Sequence, residues 1–69
     1  MLTVHYYLTK EAEQTAVYKT VDAFMTAQLK EVPDLQDNYL VSRVILDGKE
    51  LTHLAGQRIS QVFAYLSKS

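Results

Sequence analysis

The chain has 69 residues, seven of them basic and eight acidic, for a net charge of −1. A chain this short forms one small domain, here residues 1–69, and buries only roughly 60% of its unfolded surface, so its margin of stability is thin. It has no cysteine, which excludes a disulfide framework and any thiolate metal site.

The opening "MLTVHYYLTK" lacks a basic segment followed by a long apolar core, so no signal peptide is expected. No apolar run approaches the roughly 20 residues that span a bilayer. A soluble, cytoplasmic protein is therefore the expectation. The apolar fraction of 48% supports a packed core rather than disorder.

Leu2–Leu8 predicts a strand. Leu2, Val4, Tyr6 and Leu8 alternate onto one face, and Thr3, His5 and Tyr7 onto the other. The next stretch supports two readings. Val17, Val21, Phe24, Met25, Leu29 and Val32 recur at helical spacing, which fits one long helix over residues 10–32. Thr15, Val17, Thr20 and Val21 are β-branched, which fits a strand over Thr15–Val21 and then a helix from Asp22, a residue suited to capping. The segment between the two strands has no Gly or Asn, so that hairpin is expected to need a longer loop. Pro33 is expected to end the helix, because the residue before proline avoids helical geometry.

Residues 33–38 read as a loop. In the stretch "RVILDGKEL", Arg43–Leu51, three apolar residues run into Asp47-Gly48. Asp-Gly favours a two-residue type I′ turn, with positive φ at both positions. Residues 39–46 and 49–54 then form a hairpin in which Leu46 faces Lys49, Ile45 faces Glu50 and Val44 faces Leu51. Ile59, Val62, Phe63 and Leu66 make one apolar helical stripe at the C-terminal end.

The segments Leu2–Leu8, Thr15–Val21 with Phe24 following, Asn38-Tyr39 and the strand ending at Asp47-Gly48 resemble a family of small uncharacterised proteins of Gram-positive bacteria, of about this length. That resemblance favours a strand at Thr15–Val21 and implies no active-site residue. The order β-β-α-β-β is also similar to a ubiquitin-like β-grasp, at the level of fold alone. The chain ends "YLSKS" and lacks the Gly-Gly through which such modifiers are conjugated. The expected fold is α+β: an antiparallel or mixed sheet of about four strands, one main helix and a C-terminal helix.

Few residues suggest chemistry. His5 and His53 stand apart from each other, without the ligand spacing a metal site uses. Glu11, Glu13, Glu31, Asp34 and Asp37 fall in predicted loops and helix ends, where solvation keeps carboxylates ordinary. The four serines sit in no nucleophile-elbow context, and Gly48 and Gly56 cannot build a phosphate-cradling loop. The seven cations are scattered, so nucleic-acid binding would need folding to gather them. No cofactor is expected.

Five tyrosines and one irregular strand point elsewhere. Alternation places Leu40, Val44, Leu46 and Leu51 on a clean apolar face. It places Tyr39, Val41, Arg43, Ile45 and Glu50 on a mixed one, where a wet sheet face would be polar. Either the last helix covers the mixed face, or a partner does. The leading expectation is a non-enzymatic protein-interaction module, self-associating or binding another protein, with Tyr39, Val41 and Ile45 as its contact residues. The alternatives are a minor catalytic or metal-binding role for His5 or His53, and a nucleic-acid-binding domain.

Overall fold

A computed structural model describes residues 1–68. Its elements are β1 (Leu2–Thr9), β2 (Ala12–Tyr18), α1 (Val21–Gln28), β3 (Leu40–Leu46), β4 (Lys49–Glu50), a 3-10 turn (Thr52–Leu54) and α2 (Ile59–Ser67). The strands form one sheet in the order β2-β1-β3-β4, and every pairing is antiparallel. The α+β expectation holds, and the sheet is antiparallel rather than mixed.

Between the two readings of the early chain, the strand prevails. β2 pairs with β1 from Leu2↔Tyr18 to Thr9↔Ala12. Helical spacing through Val17 and Val21 was coincidental, since Val17 closes a strand and Val21 opens a helix. β2 starts and ends three residues earlier than the β-branched run suggests. Its hairpin is also tighter than expected, with only Lys10 and Glu11 between the strands. No residue there has positive φ. The register slips between Tyr7 and Thr9, so Leu8 is an extra residue that absorbs the twist a primed turn would have supplied.

α1 is shorter than its apolar pattern implies, and Thr20 rather than Asp22 caps it. The Thr20 hydroxyl accepts the Ala23 amide at 3.0 Å. Pro33 does not end it. The helix stops at Gln28, where the Leu29 amide is shared between the Met25 and Thr26 carbonyls. The Gln28 side chain then holds the returning chain as a strand neighbour would. Its Oε1 accepts the Leu35 amide at 3.0 Å, and its Nε2 donates to the Leu35 carbonyl at 2.7 Å. This buried clamp pulls Leu35 into the core and leaves Leu29 and Val32 in solvent.

Asp47 has φ +52° and Gly48 +82°, as a type I′ turn demands. Leu46 pairs with Lys49 and Ile45 with Glu50, and the Leu51 amide donates to the Val44 carbonyl at 2.8 Å. After two residues β4 gives way to the 3-10 turn, so residues 51–54 are not strand. A Cβ at residue 48 meets no neighbour within 4 Å, so only backbone strain opposes a side chain there. Gly48→Val should therefore cost about 1–3 kcal/mol in urea unfolding. An unchanged midpoint would show that the turn tolerates a β-branched residue.

The core lies on one side of the sheet. Phe24 is its centre, edge-on to Tyr18 with ring centroids 5.3 Å apart and tilted against Phe63 at 6.4 Å. Leu2 and Val4 of β1, Val41 and Val44 of β3, and Ile59, Val62 and Leu66 of α2 surround it, with Leu35 and Leu54 from the connections. The C-terminal stripe is thus buried as its spacing predicts. Both helices contribute to this single core, and the molecule measures 30 × 29 × 18 Å. The short dimension fits one sheet and one helical layer, about 10 Å each. The last helix therefore does not cover the mixed face of the sheet.

Candidate functional site

Strand alternation assigns the side chains of the uncovered face. Because Leu2 and Val4 enter the core, Thr3, His5 and Tyr7 point the other way. Their cross-strand partners extend the face in rows. Val17, Thr3, Ile45 and Glu50 form one row, Thr15, His5 and Arg43 the next, and Glu13, Tyr7 and Leu40 the third. Val17 is 56% exposed and Leu40 is 37% exposed. Apolar side chains thus lie at both ends of the face, with a polar band between them.

The three residues expected to bind a partner separate. Ile45 lies on the open face, half-buried beside Thr3. Val41 does not, for it is fully buried in the core. Tyr39 also packs against the core and stacks on Tyr6 with centroids 5.5 Å apart and ring planes 14° apart. The cause is a bulge. His5 pairs with Arg43, but its neighbour Tyr6 pairs with Val41, so Ser42 is an extra residue in β3. One extra residue reverses the alternation before it. Val41 is turned inward and Leu40 outward, opposite to the faces expected of them.

Backbone contacts lock Val41 in place. Its amide donates to the Gln57 carbonyl and its carbonyl accepts the Gly56 amide, each at 2.8 Å. The Ile59 amide donates to the Tyr39 carbonyl at 3.0 Å. The start of α2 is therefore stitched to the start of β3, with Val41 beneath it.

The polar band holds the first candidate histidine. The His5 Nδ1 lies 3.1 Å from the Thr15 hydroxyl. Ser42 Oγ is within hydrogen-bonding distance of the His5 carbonyl, at 3.3 Å, and of the Glu13 carboxylate. His5, Glu13, Ser42 and Arg43 line a shallow depression of about 310 Å³. The imidazole is paired with the Thr15 hydroxyl and not with Ser42. Arg43 is held by Glu50 at 3.6 Å, both side chains being about half exposed. His53 lies elsewhere, on the 3-10 turn, edge-on to Tyr65 of α2 at 4.6 Å. The two histidines are not brought together. Among the described residues, no three His, Asp or Glu side chains converge as a metal site would require.

The pKa of Tyr18 is pushed up to about 12, first by burial and then by the Asp34 carboxylate, which accepts its hydroxyl at 3.4 Å. Lys30 holds the other oxygen of Asp34 at 2.9 Å. This pair buttresses the core edge on the helical side, away from the open face.

The domain is thus a two-layer α+β unit whose most distinctive surface is a half-apolar open sheet face. A family model for a domain of unknown function, DUF4649, matches residues 2–69. The chain belongs to this family, which agrees with the resemblance read from its strands and turns. Neither a curated protein nor a solved structure matches it. Among the described residues, no helix is long and apolar enough to cross a membrane.

Proposed function

We propose that this domain is a protein-interaction module, without catalytic activity of its own, that acts through its open sheet face. One observation carries the reading: both helices pack on the same side of the sheet, and the opposite side keeps Val17, Ile45, Tyr7 and Leu40 among polar residues. A solvated antiparallel face normally alternates cleanly to polar side chains. Three strands of seven or eight residues and a two-residue fourth present on the order of 400 Å² per partner, in the range of weak, transient contacts. The association is therefore transient, with a second copy or with another protein. Arg43 and Glu50 lie beside the apolar row and give the face a charge pair that favours one orientation over others.

A paired capture experiment tests this. The wild-type domain and a Val17→Glu/Ile45→Glu variant are used as bait in extract from the source cells, with circular dichroism confirming that the variant is folded. The reading expects a discrete protein, or the domain itself, retained by the wild type and lost with the variant. Equal retention by both proteins would remove the face from consideration.

A further inference from the structure

A second surface adjoins the open face at one end of the sheet and shares Tyr7 and Leu40 with it. The β1–β3 ladder stops at Tyr7↔Leu40, but β1 runs on to Thr9. On the β3 side, Leu8 and Thr9 have no strand neighbour. The chain leading into β3 has swung away, held by the stitch between Tyr39 and Ile59. The gap is a cleft of about 690 Å³, within the range of small-molecule sites.

Its lining is chemically one-sided. Lys10 enters from the hairpin tip and Arg58 from the start of α2, and among the described residues no carboxylate lines the cleft. In a chain of net charge −1, this gathers two of the seven cations in one place. Arg58 is anchored by donation from Nη1 to the Asn38 carbonyl at 3.1 Å. That single bond leaves most of its guanidinium donors free. Lys10 has no hydrogen bond or ion pair among the described residues. By contrast, Arg43 and Lys30 are each paired with an acid. Apolar surface comes from Leu8, 46% exposed, and Leu40, with Tyr7 beside them.

We infer that this cleft binds a small organic anion, a carboxylate or phosphate on a compact apolar body. Lys10 and Arg58 receive the anionic group, and Tyr7, Leu8 and Leu40 cover the body. Arg58 gives direction, since its planar fork matches two anionic oxygens, while Lys10 adds charge without fixed geometry.

Phenyl phosphate, benzoate and benzylamine serve as probes, three compounds of similar bulk and differing charge. Each is titrated into the labelled domain and followed by proton–nitrogen correlation NMR. Phenyl phosphate and benzoate should shift the amides of residues 7–10, 36–40 and 58 saturably, and benzylamine should not. The Lys10→Gln/Arg58→Gln variant should weaken both anions by about five- to tenfold, as two exposed ion pairs would. Lys10→Gln alone, which removes no internal contact, should weaken them about two- to threefold, and it carries the test if the double variant is misfolded. Shifts that are absent, equal with benzylamine, or unchanged in Lys10→Gln would overturn the assignment.

Discussion

Val41→Asp should unfold the domain at ambient temperature, while Ile45→Asp should leave it folded. The two residues are four apart in one strand, yet they differ in burial. Val41 is fully buried between β1 and the start of α2, and Ile45 lies on the open face. A carboxylate at residue 41 would have to give up its hydration inside an apolar core, at a cost of several kcal/mol. A domain of this size has roughly 3–10 kcal/mol to lose. At residue 45 the side chain is half-buried on an open face, so the carboxylate keeps much of its hydration and the cost is about 1–2 kcal/mol. Circular dichroism and urea unfolding of the two variants check this directly. Equal tolerance would mean that the Ser42 bulge does not turn Val41 inward.

The second large effect is expected at Phe24. Its ring is fully buried and contacts Tyr18 and Phe63, so it joins β2, α1 and α2 in one cluster. Phe24→Ala removes that ring from a core with few large residues, and such truncations cost about 3–5 kcal/mol. The expected result is a protein largely unfolded near 37 °C, with Phe24→Leu retaining most of the urea midpoint. A loss below about 1 kcal/mol would place the centre of the core elsewhere.

Local signals proved sound at the second turn and the last helix, but not around α1, which Thr20 rather than Asp22 caps and which stops before Pro33. Asp47-Gly48 specifies its own turn, and the turn fixes the register of its hairpin, since positive φ is rare outside Gly and Asx. Ile59, Val62 and Leu66 declare a helix face by spacing alone. Thr3, His5 and Tyr7 were legible as an outward face by alternation. What escaped was tertiary. The Ser42 bulge has no glycine or proline to announce it, yet it reverses the alternation before it and so turns Tyr39 and Val41, two of the three expected contact residues, toward the core. The Gln28 clamp on Leu35 shortens α1 against an unbroken apolar pattern. The Lys10–Arg58 cleft joins segments nearly fifty residues apart in the chain, and neither cation stands out among seven.

The measurement closest to the central claim is site-specific photocross-linking in the cells that make the protein. A photoreactive residue is placed at Val17 or Ile45 on the open face, and at Ser60 on the helical side as a control. One discrete adduct, a dimer or a complex with another protein, is expected from the two sheet positions and none from Ser60. Adducts that are absent from Val17 and Ile45, or equally abundant from all three positions, would contradict that claim.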